Sequence, residues 1–244
     1  MARFIWLLFA CVICALPLLA EEAKVTVIKF EKDAWDPAQW TPVRMANQAE
    51  AKALVQLDGA IGTTMETFTR ADYGTETDNA ILLYDLGTTE AEVAVTLTMG
   101  KNAGGHGYAC PGLCISPVVK DGVVVSSIAV FVADYTMAVW WQTTGEDGKT
   151  VGYRHLVQLG RWSDPGKPHV LRCRISKKEG SVALKLDDAD VVVLTYVGNK
   201  TYGSVPDPVN SLVGLWGCHG ECAFREMTIS EPGTLPFMVR TPVK

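Results

Sequence analysis

The sequence VLRCRISKKEGSVALKLD at residues 170–187, followed by SLVGLWGCHGECAFREMTIS at residues 211–230, determines the fold. Its apolar segments are short, alternate with polar residues and end at turn-forming runs such as KKEG. A period of two residues is typical of strands that bury one face. In the last strand Phe224, Met227 and Ile229 break this period, and a β-bulge at Arg225–Glu226 would restore their inward direction. The pattern predicts a domain built from strands.

Strand signals also dominate the rest of the chain. In Glu92–Met99 the residues Val93, Val95, Leu97 and Met99 share one face of a predicted strand. Further strands are predicted at Lys24–Phe30, Ala53–Leu57, Ala80–Tyr84, Ser127–Val132, Met137–Thr143 and Gly152–Leu159. Ala46–Ala53 could form a short helix, but the segment is brief and uncapped. A dozen or so short strands without βαβ alternation indicate an antiparallel sandwich or a barrel.

We predict one domain over residues 24–231 and a short tail over residues 232–244. No internal repeat or low-complexity linker divides the chain. The tail contains three prolines and is expected to run along the surface as an extended segment.

Residues 1–20 have the pattern of a secretory signal peptide. Arg3 is followed by an apolar run that ends in Ala20, directly before two glutamates. A membrane anchor is the competing interpretation, because about 17 apolar residues lie at the lower limit for a span. Pro17 and the acidic flank favour cleavage, so a secreted, periplasmic or cell-surface location is expected, with no membrane span after removal of the signal.

The acidic balance excludes some partner classes. The chain has a formal net charge of −5, and its basic residues form no stripe. Nucleic acid and anionic lipid are therefore not expected as partners.

The order of residues in two regions resembles the concanavalin A-like superfamily. Val55–Ile61 resembles an early strand pair of that jelly roll. The closing run is similar to bacterial laminin-G-like domains and to the 3-keto-disaccharide hydrolase group, which end with a Gly-Leu strand, a His-Gly turn and a Phe-Arg strand. The matching positions here are Gly214, Leu215, His219, Gly220, Phe224 and Arg225. The resemblance implies an all-β, two-sheet antiparallel jelly-roll sandwich.

The resemblance leaves three functions open, because this superfamily includes lectins, glycosidases and adhesion modules. The leading expectation is a secreted carbohydrate-binding, laminin-G-like module with a poly- or oligosaccharide or a cell-surface glycan as its partner. The second is a glycoside hydrolase of the 3-keto-disaccharide hydrolase type, with His219 and Glu221 as an acid/base pair. The third is a protein–protein adhesion module.

Retaining glucanases of this fold carry Glu-x-Asp-x-x-Glu on one strand. The nearest counterpart, Glu76-Thr77-Asp78, lacks the second glutamate and lies in a turn-like stretch. The simplest interpretation of His219 and Glu221 is a polar hairpin tip pinned by a disulfide.

Trp140 and its neighbours form the predicted sugar-binding set. Trp140 and Trp141 are adjacent on one strand, so their side chains point to opposite faces. We assign Trp141 to the core, and an exposed Trp140 would stack against the apolar face of a pyranose ring. Arg154, His155 and Asp134 are predicted to supply hydrogen bonds, and His219 is a further ligand contact. The alternative is that Trp140 covers the sheet.

Five of the seven cysteines lie after the signal. Alternation places Cys173 in the core as a buried thiol. The others form the pairs Cys110/Cys114 and Cys218/Cys222, each around a turn. Disulfides are expected in an exported protein, either within each pair or between the two loops, and free thiols or a metal site are the alternatives.

No cofactor and no metal site are expected. Asp187, Asp188 and Asp190 follow a predicted strand, where three carboxylates would suit calcium. An ordinary charged turn is the preferred interpretation.

Overall fold

The computed structural model describes residues 24–68, 79–104, 108–133, 136–160, 164–188, 192–195 and 210–233. The predicted signal peptide and most of the predicted tail lie outside these residues. So do Asp134, Asp190 and the Glu76–Asp78 stretch. Within the described residues, the only helical element is the three-residue 3₁₀ turn Pro37–Gln39. Ala46–Ala53 forms no helix, since this segment is a turn and a bend followed by irregular chain.

The described residues form fifteen strands in two antiparallel sheets. The first is an eight-stranded sheet in the order β13-β12-β11-β6-β15-β4-β3, with β1 also paired to β15. Its strands are β1 (Val25–Lys29), β3 (Val55–Leu57), β4 (Ala60–Thr63), β6 (Glu90–Asn102), β11 (His169–Ser176), β12 (Ser181–Leu186), β13 (Val192–Thr195) and β15 (Gly220–Ser230).

The second sheet has seven strands in the order β10-β9-β8-β7-β14-β5-β2. Its strands are β2 (Trp40–Val43), β5 (Asn79–Asp85), β7 (Gly112–Lys120), β8 (Val123–Ala133), β9 (Thr136–Thr144), β10 (Val151–Gly160) and β14 (Leu212–Cys218). The two-sheet antiparallel sandwich that the resemblance implies is confirmed.

The main core lies between the sheets and follows the predicted alternation. Val93, Val95, Leu97 and Met99 of β6 are fully buried there, and Cys173 is buried among them as expected. The predicted bulge in β15 is also confirmed, because the register against β6 shifts between Phe224 and Glu226. That extra residue returns Met227 to the core beside Phe224.

A second apolar cluster covers the opposite side of the seven-stranded sheet. It includes Ile81, Cys114, Ala129, Trp216 and Cys218, and Phe131, Trp140 and Tyr153 pack against it. We call this side the outer face, and the side that faces the main core the inner face. The outer face is apolar over a broad area, although it does not face the eight-stranded sheet.

The strands β14 and β15 belong to different sheets, and this corrects the predicted hairpin at residues 218–222. His219 joins them in a left-handed conformation with φ of 66°. At Gly220 a Cβ atom would lie 2.1 Å from the carbonyl oxygen of Lys101, so only glycine fits. The chain therefore crosses from one sheet to the other between Cys218 and Cys222.

The turn between β9 and β10 carries an acid with a lowered pKa. The Thr150 hydroxyl donates to the Asp147 carboxylate, which also accepts the amide protons of Thr150 (2.8 Å) and Lys149 (3.0 Å). These donors stabilise the ionised form and lower the pKa of Asp147 to about 2. A lowered folded-state pKa adds stability above the ordinary value of 3.8, and this stability is lost as the pH falls through about 2.

We therefore expect Thr150→Val to raise the pKa of Asp147 toward 3.8, because the hydroxyl is its strongest donor. The control Thr150→Ser keeps the hydroxyl and should keep the low pKa. The measurement is an NMR titration of the Asp147 carboxyl carbon. An unchanged midpoint in Thr150→Val would show that the hydroxyl does not stabilise the carboxylate.

Candidate functional site

A cavity of about 480 Å³ opens on the outer face of the seven-stranded sheet. Its walls come from β5, β8, β9, β10, the end of β14 and the segment before β7. The lining side chains are aromatic, small or neutral and polar, and they are Asn79, Cys110, Phe131, Ala133, Thr136, Ala138, Trp140, Tyr153, Cys218 and His219. Among the described residues, no carboxylate lines it.

Strand register explains why this cavity forms here. Phe131 of β8 lies directly opposite Ala138 of β9, and Trp140 lies opposite Ala129. Directly opposed residues project to the same face, so each large ring has a small neighbour across the strand pair. The alanines leave open space beside the rings, and this makes a depression in an otherwise filled apolar face.

The aromatic side chains of the site support one another. The rings of Trp140 and Tyr153 meet edge to face at 6.3 Å between centroids. His155 lies opposite Trp140 in the register, and its ring is 4.7 Å from that of Trp140. Beneath the cavity, Phe131 packs edge to face on the fully buried Trp216 at 4.9 Å. These contacts hold the indole of Trp140 in a defined orientation, half-buried on the cavity wall.

The structure brings some of the predicted ligand residues together and separates others. Trp140 and His219 line the same cavity, and His155 packs on Trp140 outside the lining. Arg154 lies opposite Trp141, so it projects to the other side of the sheet and does not contribute to this cavity. Trp141 packs against the main core from the inner face, as predicted.

The predicted acid/base residues His219 and Glu221 line different cavities. His219 lines the cavity on the outer face, whereas Glu221 lines a different cavity of about 300 Å³ beside β4, β6 and β15. There the Glu221 carboxylate accepts the amide proton of Lys101 at 3.3 Å. The sheet crossover at His219 and Gly220 separates the two positions, with His219 in the connection and Glu221 on β15. The hydrolase interpretation of these two residues stays a prediction.

The predicted disulfides within each cysteine pair are also absent, since all five described cysteines are thiols. Cys218 packs in the outer-face cluster and Cys222 in the main core, because the chain crosses between sheets. Burial raises the pKa of Cys114 and of Cys222 to about 12. These two thiols are therefore neutral at physiological pH and unreactive.

Asp187 anchors the turn that follows β12. One carboxylate oxygen accepts the Val170 amide proton at 2.8 Å, and the other lies 2.8 Å from Nδ1 of His169. The second ring nitrogen of His169 lies 2.9 Å from the carbonyl oxygen of Asp164. Among the described residues, no group of three His, Cys, Asp or Glu side chains is placed to hold a metal ion.

Sequence reasoning missed half of the cavity wall, including Asn79, Phe131, Thr136 and Tyr153. Phe131 and Tyr153 could have been found, because strand alternation and register place them on the same face as Trp140. Phe131 and Ala133 alternate along β8, and Tyr153 and His155 alternate along β10, in phase with Trp140 on β9. Asn79 carries no such signal, because its position depends on the pairing of β5 with β14.

Within the described part of the chain, no helix has the length and apolar character needed to cross a bilayer. No protein-family model matches this chain, and no curated protein matches it.

Solved structures do match over most of the chain. The carbohydrate-binding module CBM66 from Bacillus subtilis is 14% identical with a TM-score of 0.51, covering 79% of this chain and 96% of its own. SCLam, a non-specific endo-β-1,3(4)-glucanase from family GH16, is 13% identical with a TM-score of 0.55, covering 86% and 92%. The VIP36 exoplasmic/lumenal domain in its Ca²⁺/Man-bound form is 12% identical with a TM-score of 0.51, covering 90% and 92%.

These three structures are antiparallel two-sheet sandwiches with different activities, so the likeness concerns architecture. The two antiparallel sheets of this chain agree with that architecture. The chain therefore has the concanavalin A-like jelly-roll fold that its closing strands predicted.

Proposed function

We propose that this chain is a secreted carbohydrate-binding module whose ligand lies in the outer-face cavity against Trp140. The observation that carries the proposal is the half-buried indole in a cavity of about 480 Å³, held by Tyr153 and His155. Pockets of this size with apolar walls and a few polar groups suit small ligands. The axial C–H face of a sugar ring is apolar and fits an aromatic plane.

The polar groups of the cavity favour a neutral ligand. Asn79, Thr136, Tyr153 and His219 present amide, hydroxyl and imidazole groups, which match the hydroxyls of a sugar. Among the described residues that line the cavity, none is an arginine, lysine, aspartate or glutamate. A neutral glycan therefore fits better than a sulfated or uronic-acid polymer.

Three further considerations support the proposal. The carbohydrate-binding module CBM66 and the Man-bound VIP36 domain share this fold. The N-terminal signal pattern would place the protein where glycans are exposed. The outer face also contains a distinct depression, whereas a protein–protein adhesion module is expected to present a flat surface there.

The test is a glycan array followed by calorimetric titration of the best neutral oligosaccharide. We expect Trp140→Ala to weaken binding roughly 30-fold, since truncation of a central tryptophan anchor costs about 2 kcal/mol or more. Trp140→Phe should retain part of the affinity, because it keeps an aromatic plane.

The matched controls lie on the adjacent strand. His155→Ala removes the ring that packs on Trp140 and should weaken binding, whereas Arg154→Ala on the other side of the same strand should not. Equal affinity of Trp140→Ala and the parent chain would contradict the proposal. Turnover of glycosides or 3-keto-glycosides by the parent chain would show that it is more than a binding module.

A further inference from the structure

Two cysteines from distant parts of the chain face each other at the cavity. The pairing of β7 with β14 places Gly112 opposite Trp216, and the same register two residues further places Cys110 opposite Cys218. The Cys110 amide donates to the Cys218 carbonyl oxygen at 3.0 Å. The Cys218 thiol donates to the Cys110 carbonyl oxygen at 2.9 Å. Both side chains line the same cavity, so they project to the same face.

This geometry suits a covalent bridge between them. Directly opposed, hydrogen-bonded residues in an antiparallel pair have Cα atoms about 5.5 Å apart. That separation lies within the range of about 4.4–6.8 Å found in disulfides.

The other cysteines are poorly placed. Cys114 lies four residues from Cys110 along extended chain, which corresponds to about 13 Å. Cys222 belongs to the other sheet and packs in the main core.

Accessibility favours Cys110 as the first thiol to react. Cys110 is partly exposed, whereas Cys114, Cys218 and Cys222 are buried. A small oxidant that enters the cavity therefore meets Cys110 first, and Cys218 is the adjacent thiol on the same wall.

We propose that Cys110 and Cys218 form a disulfide when the chain reaches an oxidising compartment, and that this bridge joins segments 108 residues apart. With glutathione disulfide as oxidant, the Cys110 thiolate attacks one sulfur and releases glutathione. The Cys218 thiolate then attacks the Cys110 sulfur and releases a second glutathione. Two protein thiols lose two protons and two electrons, and the oxidant becomes two thiols.

Trypsin offers a direct test on the full chain. Cys110 and Cys114 share the tryptic peptide 102–120, and Cys218 and Cys222 share the peptide 201–225. Cys11 and Cys14 fall in a third peptide, and Cys173 in a fourth. After equilibration with glutathione disulfide and blocking of remaining thiols, we expect one species in which peptides 102–120 and 201–225 are joined. It should disappear on reduction.

Cysteine-to-alanine variants identify which two sulfur atoms form the bridge. The joined species should persist in Cys114→Ala and Cys222→Ala, and it should be lost in Cys110→Ala and Cys218→Ala. Circular dichroism confirms that each variant is folded. Two separate peptides that are each two hydrogens lighter would mean bridges within each pair and would overturn the proposal. The proposal would also be overturned if the blocking reagent modified all cysteines after oxidation, because no disulfide would then have formed. A joined species that survives in Cys110→Ala would overturn it as well.

Discussion

Replacing Trp216 with alanine is expected to lower the free energy of unfolding by about 4 kcal/mol, because removing a buried tryptophan leaves a large cavity. Trp216 is fully buried in the outer-face cluster. Its indole N–H donates to the side-chain oxygen of Asn79 at 2.8 Å, and its ring packs edge to face on Phe131. Loss of the ring thus removes dispersion contacts, a hydrogen bond and the support beneath two residues of the cavity wall.

Trp216→Phe separates these contributions. It keeps most of the packing and removes the hydrogen bond, so the Asn79 oxygen loses its indole donor at a cost of about 1–3 kcal/mol. Urea denaturation of both variants measures the two losses. Equal stability of the alanine and phenylalanine variants would show that the ring is not the main source of the stabilisation.

The two variants also connect stability with binding. Asn79 and Phe131 line the proposed sugar cavity, and both contact Trp216. Under conditions where Trp216→Phe is fully folded, we expect weaker glycan binding than in the parent chain, because Asn79 loses the partner that orients its side chain. Trp216 therefore acts as a positioning residue, and its effect on affinity should be smaller than that of Trp140→Ala.

The fold was predictable because alternation acts locally. The buried face of β6, the inward direction of Cys173 and the bulge after Phe224 all follow from the positions of apolar residues along one strand. The opposite directions of Trp140 and Trp141 follow from the same period. Each of these features depends on neighbours within a few residues, so the sequence pattern contains the information.

The site was less predictable because its residues meet only through pairing between distant strands. Asn79 and Cys110 are brought beside Cys218 by the register of β14 with β5 and of the segment before β7. The incorrect interpretation of residues 218–222 has a related origin. A His-Gly turn between two strands resembles a hairpin in sequence, and only the sheet topology shows that those strands belong to different sheets.

The second large effect is expected at an ion pair on the eight-stranded sheet. Glu92 of β6 lies opposite Arg174 of β11 in the register. Its side chain is 0% exposed, and one oxygen accepts Nε–H of Arg174 at 2.6 Å and the amide proton of Gly233 at 2.9 Å. We expect Arg174→Met to destabilise the chain by about 3 kcal/mol, because it leaves a buried carboxylate without its cation.

A double-mutant cycle tests whether charge is the cause. If the loss comes from the uncompensated carboxylate, Arg174→Met combined with Glu92→Leu should be more stable than Arg174→Met alone, since an apolar pair needs no counter-charge. The exposed Arg154→Met is the matched control and should change stability by less than about 0.5 kcal/mol. A double variant no more stable than the single one would indicate that the Arg174 stem stabilises this face by packing.

The Glu92 carboxylate also accepts the Gly233 amide proton. Variants that remove this carboxylate should therefore loosen the chain just after β15. Faster amide hydrogen exchange at Gly233 would measure this loosening.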